Sequence, residues 1–428
     1  MKIIIKNGRV IDPSRGLDSR VDILIDKGKI VKTGKGMEEK GAKELDAAGK
    51  IVAPGFVDMH THLREPGRED AETVETALKA AVYGGFTTVS AMPNTLPACD
   101  NQAQVKFLLE RAAQVKRGNV IPIGAITKGR EGKEITEMAD LKEAGCLALS
   151  DDGSSVPDAE LMRRALEYAS MLDLLVISHC EDKALAGDGV MHEGYWSTVL
   201  GMKPISARSE SIMVERDIRL AELAGARIHI AHVSAAESVE MIRDAKKRGV
   251  KVTAEAAPHH FTLKDEDVKT FDTSMKVNPP LRSAEDVRAV KKGLKDGTID
   301  VIATDHAPHP EQEKEKEFDY APFGMIGLET ALPLSVMGLI DEGYLDWPGL
   351  VRKLSLNPAT ILKYERGTLM EGAIADIVII DPEKEWIYTR EGIKSRSKNS
   401  PFIGRTMKGA VTHVLINGEI VLTDGGTE

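Results

Sequence analysis

The chain has 428 residues, too many for one ordinary compact domain, and divides most naturally into one large α/β barrel plus a smaller module. Its 57 Lys and Arg against 67 Asp and Glu leave a net charge of −10, and aromatic residues make up only 4%. That balance excludes a nucleic-acid surface built on basic patches and stacking rings. The longest apolar runs are strand-sized, so no membrane-spanning helix is predicted. Three isoleucines between Lys2 and Lys6 are too few for a signal peptide. The three cysteines, Cys99, Cys146 and Cys180, are odd in number and lack CxxC spacing, so no disulfide framework is implied. A soluble cytoplasmic protein is expected.

Residues 1–52 read as short strands punctuated by glycine: Ile3–Ile5, Val21–Ile25, and Lys29–Val31 after the turn at Asp26-Lys-Gly28. From 53 to 362 the rhythm changes. Apolar runs recur about every 30 residues with helical patterns between them, which is the signature of βα units. Eight such runs are predicted as strands: Gly55–Met59, Thr87–Met92, Val120–Ile126, Cys146–Ser150, Leu174–Ser178, Arg227–Ala231, Lys251–Glu255 and Asp300–Ala303. Helix starts are predicted at Ser234-Ala-Ala-Glu237 and Ser283-Ala-Glu-Asp286, both capping-box-like, and helix ends at Gly84-Gly85 and Gly249. Residues 363–428 return to short strands, Ala375–Ile380, Val411–Ile416 and Glu419–Leu422, the last two joined by the hairpin signal Asn417-Gly418. The expected fold is a (β/α)8 barrel with a small β-sandwich assembled from both termini.

Chemistry in such barrels sits at the C-terminal strand ends. Strand one ends Asp58-Met-His60-Thr-His62, strand four Ser150-Asp-Asp152-Gly, strand five Ser178-His179-Cys-Glu181, strand six Ala231-His232-Val-Ser234, and strand eight Ala303-Thr-Asp305-His306. Metal-ligand residue types therefore occupy five of eight ends. His60 and His62, two apart on an extended chain, project from one face and can bind one ion together. His179 and His232 sit where single side chains reach the same centre, and Asp305 is placed to ligate or to act as a base. Imidazole and carboxylate donors suit Zn²⁺, with Mn²⁺ and Fe²⁺ as alternatives.

These residues carry a resemblance to the amidohydrolase superfamily. Pro54-Gly-Phe-Val-Asp-Met-His60-Thr-His62-Leu-Arg64-Glu-Pro-Gly67 narrows it. Together with Met92-Pro-Asn94-Thr, Asn278-Pro-Pro-Leu-Arg282, Asp305-His-Ala-Pro-His309 and Glu371-Gly-Ala-Ile-Ala-Asp376, that segment closely resembles the class I dihydroorotases along the whole chain. The resemblance implies interconversion of N-carbamoyl-L-aspartate and L-dihydroorotate in pyrimidine biosynthesis. It implies His60, His62 and Asp305 around one metal and His179 and His232 around a second, with Zn²⁺, one or two per subunit, as cofactor. Where many amidohydrolases carry a carboxylated lysine after strand four, this chain has an aspartate pair. Asp152 aligns best, and Asp151 should face the other way. Asp305 would be the proton carrier, Arg64, Asn94 and His309 the receptor for the ring carboxylate, and Asn278 a partner of the pyrimidine ring. Backbone near Pro322–Gly324 is a further contact.

Other residues are expected to be structural. His306 reads as a loop or supporting residue, His259 and His260 as packing or capping, His229 as buried against a helix on the face opposite His232, and Cys99, Cys146, His192 and His413 as fillers. Cys180 is either a filler or a zinc ligand in the absence of substrate. The long excursions 184–205 and 310–323, the second including the charged run Glu311–Glu317, are expected to act as lids or partner-binding elements. The competing functions are another cyclic-amide hydrolase, such as an allantoinase or dihydropyrimidinase, and a non-catalytic scaffold for aspartate transcarbamoylase. Arg64 with Asn94 separates the first rival, because those substrates lack a ring carboxylate; the full ligand set separates the second. A homo-oligomer and a complex with that transcarbamoylase are the expected assemblies, with no membrane partner.

Overall fold

The computed structural model describes residues 2–424 and Gly426. Eight parallel strands form one sheet in sequential order: β1 (Phe56–Thr61), β2 (Phe86–Ala91), β3 (Asn119–Gly124), β4 (Ala148–Ser150), β5 (Leu175–Ser178), β6 (Ile228–Ile230), β7 (Val252–Ala256) and β8 (Val301–Ile302). The sheet closes just beyond β8, where Thr61 bridges His306 in parallel and the His62 N–H donates to the His306 carbonyl at 2.9 Å. The predicted strands agree with these to within a few residues. Their buried side chains, among them Val57, Met59, Ile123, Leu175, Ile177 and Val301, fill the barrel interior as a packed core.

The connecting helices include Val74–Tyr83, Gln102–Val115, Ala159–Met171, Arg208–Ala224, Ala236–Lys247 and Ala284–Asp296, whose apolar faces pack on the strands. Ser283 and Asp286 form the reciprocal cap predicted for the last of these. The cap predicted at Ser234 does not form. Glu210 takes both the Ser234 hydroxyl and its N–H, and the start of Ala236–Lys247 is served instead by Asp286 Oδ1, which accepts from Ala236 N at 2.8 Å. The Ser234 hydroxyl is turned to donate to one buried carboxylate, and a second carboxylate takes the helix's first N–H.

Among the described residues, the two larger sheets outside the barrel come from the chain termini. One is four-stranded, in the order Lys29–Gly34, Asp22–Asp26, Ile3–Lys6, Lys43–Asp46. The other is six-stranded and mixes the termini: Ile51–Pro54 pairs antiparallel with Ile377–Ile380 on one side and parallel with Arg9–Asp12 on the other. One core of Ile3, Ile5, Ile23, Ile25, Val52, Ile377, Ile379 and Leu415 lies between the sheets. The hairpin at Asn417-Gly418 has positive φ at both residues (51° and 77°), the conformation an Asn-Gly pair adopts most readily. Ile51–Pro54 runs into β1 through Gly55, where a Cβ would meet Thr87 at 2.3 Å, so only glycine lets these backbones approach.

The two long excursions have structure of their own. The first contains helices Lys183–Ala186 and Tyr195–Leu200 and a parallel pairing of Met191–His192 with Pro204–Ile205. In the second, Glu313 binds Arg68 (2.8 Å) and His309 (3.2 Å). Lys314, within the charged run, is buried and donates to the Pro322 carbonyl at 2.7 Å. Among the described residues no helix is long and apolar enough to cross a membrane.

Candidate metal centre and substrate cavity

The C-terminal strand ends converge. His60, at the end of β1, is fully buried, and its Nε2 lies 3.2 Å from Asp152 Oδ1 and 3.6 Å from Asp305 Oδ1. His62 Nε2 is 3.1 Å from Asp305 Oδ1 and 3.5 Å from Asp152 Oδ2. On the other side of Asp152, His179 Nδ1 and His232 Nε2 each lie 3.5 Å from its Oδ1 and 2.9 Å from one another. Asp152 thus stands between two groups, His60, His62 and Asp305 on one side and His179 and His232 on the other. Asp151 points away and caps the β3 loop, accepting from the N–H groups of Ile126 (2.8 Å) and Thr127 (3.1 Å).

The hydrogen positions decide what this cluster fits. His60 Nδ1 is 2.6 Å from Glu255 Oε1 and His62 Nδ1 is 2.9 Å from Asn94 Oδ1. A carboxylate or amide oxygen only accepts, so both Nδ1 atoms carry a hydrogen and both Nε2 atoms are the ones turned to carboxylate oxygens. Oxygen lone pairs facing those nitrogens at about 3 Å call for positive charge between them, a proton on Nε2 or a metal ion in its place. His60 Nε2 and Asp152 Oδ1 accordingly have no hydrogen-bond partner, although they are buried and 3.2 Å apart. Groupings of His60, His62, Asp305 and of His60, Asp152, His232 each bring donor atoms within 4.8 Å. These residues fit a divalent ion with N and O ligands.

Electrostatics agree with the geometry. Burial disfavours a charge on His60, but Asp152 and Glu255 outweigh it and hold the imidazole well above its ordinary pKa. Burial likewise opposes the Asp152 and Asp305 carboxylates, yet the surrounding histidines keep both far below the usual range. The cluster attracts positive charge, and a metal would displace the protons that otherwise supply it.

Above the cluster lies a cavity of about 210 Å³. Of the ten residues singled out from the sequence, nine line it: His62, Arg64, Asn94, Asp152, His179, His232, Asn278, Asp305 and His309; His60 lies beneath. Phe323 and Gly324 complete the wall. A Cβ on Gly324 would sit 3.0 Å from His309 Nε2, and its φ of +135° also favours glycine. The Arg64 guanidinium donates from Nε to the Pro308 carbonyl at 3.1 Å and from Nη2 to His309 Nε2 at 3.3 Å. Among the described residues it forms no ion pair with a carboxylate. Burial lowers its pKa to about 10, so it stays cationic at neutral pH. His309 is kept neutral by burial and by Arg64, with its Nδ1–H directed to Glu313. The Asn94 oxygen is taken by His62, which leaves its NH₂ to face the cavity. Asn278 Nδ2 donates to Glu181 Oε1 at 2.9 Å, and Glu181 Oε2 is 3.6 Å from His179 Nε2.

The remaining histidines and Cys180 lie off the ligand cluster. Cys180 is turned from the centre, its Sγ 3.4 Å from Ser178 Oγ and 3.8 Å from Asp217 Oδ2, so it is not a ligand in this arrangement. His229 does not merely pack against a helix: its Nε2 binds Glu255 Oε2 at 3.1 Å. Glu255, which closes the predicted strand seven, adjoins the cluster through His60 and is not singled out by sequence reasoning. His306 bonds Glu72 through Nε2 (3.2 Å) and accepts from Gly327 N at Nδ1 (3.1 Å), away from the centre. His260 donates to the Pro279 carbonyl at 2.9 Å.

An eight-stranded barrel with an H-x-H pair, single histidines after β5 and β6 and an aspartate after β8 defines a metal-dependent amidohydrolase. Comparison with known proteins narrows the class. A family model described as dihydro-orotase-like matches residues 49–238. A dihydroorotase of Pelotomaculum thermopropionicum is 56% identical over 425 residues, covering 99% of each chain. One of Geobacter sp. (strain M21) is 52% identical over 426 residues, covering 99% of this chain and all of that one. Among solved structures, an L-hydantoinase (dihydropyrimidinase) from Arthrobacter aurescens superposes with a TM-score of 0.89 at 25% identity, covering all of this chain and 97% of its own. A D-hydantoinase (dihydropyrimidinase) from Thermus sp. gives 0.83, also at 25%, covering all of this chain and 96% of its own. The chain belongs to the dihydroorotase family.

Proposed function

We propose that the protein is a dihydroorotase, a hydrolase of a cyclic amide that interconverts L-dihydroorotate plus water with N-carbamoyl-L-aspartate. The observation that carries the substrate assignment is Arg64: a guanidinium without a carboxylate partner, facing a cavity that adjoins the metal cluster. A ring carboxylate is the natural counter-ion, and three of the five guanidinium N–H groups remain to receive it. The Asn94 NH₂ group and neutral His309 line the same cavity and would join in holding the carboxylate, and Asn278, also in the lining, would bind the pyrimidine ring. Hydantoins and dihydropyrimidines lacking that carboxylate would leave Arg64 uncompensated, which favours dihydroorotate although the solved neighbours carry hydantoinase names.

His60, His62 and Asp305 would hold one ion and His179 and His232 a second, with Asp152 between them. Zn²⁺ suits this donor set. A bound divalent ion supplies an activated water and polarises the amide carbonyl. Asp305 Oδ1 is engaged with His62, and its second oxygen is directed to no protein partner among the described residues. In hydrolysis that oxygen takes a proton from the attacking water and passes one to the departing ring nitrogen. The amide C–N bond breaks, the water oxygen remains on the former carbonyl carbon as a carboxylate whose proton is released to solvent, and the freed nitrogen becomes the ureido NH₂. Cyclisation runs the same steps in reverse. A scaffold without activity would have no use for a buried carboxylate aimed into the cavity.

The exposed side chains of Leu185, Tyr195 and Val199 on one excursion and Tyr320 on the other support a partner surface, for which aspartate transcarbamoylase is our proposed occupant in the cytoplasm. The test follows dihydroorotate hydrolysis by loss of ultraviolet absorbance, with metal removed and restored, with and without that transcarbamoylase. Hydantoin and allantoin serve as competing substrates. No turnover of dihydroorotate in any arm, with metal bound, overturns the assignment.

A further inference from the structure

We propose that Glu255, at the end of β7, is a positioning residue for both halves of the metal centre, a single buried carboxylate that orients one ligand of each ion. The proposal rests on the metal-centre reading above. Glu255 is 1% exposed, and both its oxygens are committed. Oε1 accepts from His60 Nδ1 at 2.6 Å and, more weakly, from the His232 backbone N–H at 3.4 Å. Oε2 accepts from His229 Nε2 at 3.1 Å, and His229 Nδ1 is in turn bonded to Thr253 Oγ1 at 2.8 Å. The Glu255 backbone carbonyl also accepts from Val233 N at 2.9 Å.

Each contact has a consequence at the centre. The His60 bond fixes the tautomer that turns the Nε2 lone pair toward Asp152, as carboxylate–imidazole pairs do behind metal ligands. The bonds to His232 N and Val233 N hold the backbone just past β6, where His232 has a φ of +32° that a non-glycine residue adopts only when its surroundings impose it. The bond to His229 holds Oε2, so the carboxylate cannot rotate away from His60. One side chain from β7 therefore ties β1, the group of the first ion, to the β6 loop, the group of the second.

Glutamine is the discriminating substitution because it has the same shape but only one acceptor. With its oxygen toward His60, its NH₂ meets the His229 Nε2–H, donor against donor; turned the other way, it faces His60 Nδ1–H. Metal-free Glu255→Gln should unfold at the wild-type temperature to within a few degrees, yet bind Zn²⁺ about 10- to 100-fold more weakly in competition with a chromophoric chelator. The visible bands of its Co²⁺ form should shift. Thr253→Val keeps the bonds to His60 and His232 and should bind Zn²⁺ within about threefold of wild type. Unchanged Zn²⁺ affinity and Co²⁺ spectrum in Glu255→Gln overturn the proposal. So does equal weakening in Thr253→Val, which would mark a packing effect. Should Glu255→Gln not fold, Glu255→Asp takes its place, since it keeps the charge but loses the reach to His60. Weaker Zn²⁺ binding with a shifted Co²⁺ spectrum then supports the proposal, and no change in either overturns it. No substrate enters the measurement, so failure here leaves the dihydroorotase assignment intact, and failure of turnover leaves this proposal intact.

Discussion

Replacing Arg64 with methionine removes the guanidinium while keeping a side chain of similar reach. Because Arg64 has a φ of +62°, any L side chain bears the same backbone cost there, and strain cancels between wild type and variant. The Nε and one Nη2 hydrogen are held by Pro308 and His309, so the remaining N–H groups are already oriented toward the cavity. Truncating one partner of a buried charge pair costs about 2–5 kcal/mol. Arg64 is partly exposed at the cavity mouth, so a value near the lower half, about 3 kcal/mol, applies. That corresponds to roughly 150-fold in kcat/KM, carried mainly by KM, because the carboxylate is bound alike before and during the reaction. Initial rates of dihydroorotate hydrolysis, followed by ultraviolet absorbance, give both constants. Dihydrouracil, the same ring without the carboxylate, is the control and should lose little. A KM change below about threefold, or an equal loss with dihydrouracil, refutes the carboxylate role.

Asp305→Asn keeps the shape of the side chain but not its basicity, and kcat should fall by about 10² to 10⁴ while metal-free stability is retained; a fall of under tenfold counts against proton transfer there. Dialysis against a chelator should abolish turnover and lower the unfolding temperature, and Zn²⁺ should restore both. Ligand at 100 times its Kd adds about 2.7 kcal/mol, so an unfolding temperature indifferent to metal speaks against the centre. Glu329 tests the pH dependence. It is buried beneath the C-terminal segment, where its Oε1 accepts from Lys394 N (2.8 Å) and Ser395 N (3.2 Å), and burial raises its pKa from 4.5 to about 7. The folded protein then binds the extra proton, so this contribution is fully present below pH 4.5 and is lost as pH rises through about 7. Glu329→Gln keeps an accepting oxygen and should gain on wild type by up to about 3 kcal/mol between pH 4.5 and 8. Denaturant titrations with parallel pH profiles for the two proteins would refute this.

Much of the site can be read from particular residues. His60 and His62 lie on or next to a strand of regular alternation, and the rule that barrel chemistry gathers at strand ends places His179, His232 and Asp305 without further information. Alternation fails where the strands stop. Parity sets His229 on the face opposite His232, but β6 ends at Ile230 and His232 lies beyond it in a left-handed conformation, so parity does not carry across. Cys180 beside His179 invites a ligand role, yet the chain turns there and sends the thiol to Asp217. Glu255 gives no local signal, since a lone carboxylate in Val-Thr-Ala-Glu-Ala has its partner His60 195 residues away. The Ser234 cap fails for the same reason, the competing Glu210 being 24 residues distant.

The sequence by itself determined the rhythm of eight βα units, the sandwich drawn from two termini and the kinds of donor at each strand end. These follow from periodicity, turn chemistry and motif, all of which act over a few neighbouring residues. Only the tertiary structure decided which group stands behind each ligand histidine, that Glu255 backs His60, and that Arg64 forms no ion pair with a carboxylate among the described residues. Those outcomes depend on which distant groups compete for a buried hydrogen or charge, and that competition is settled only once the strands have closed into a barrel.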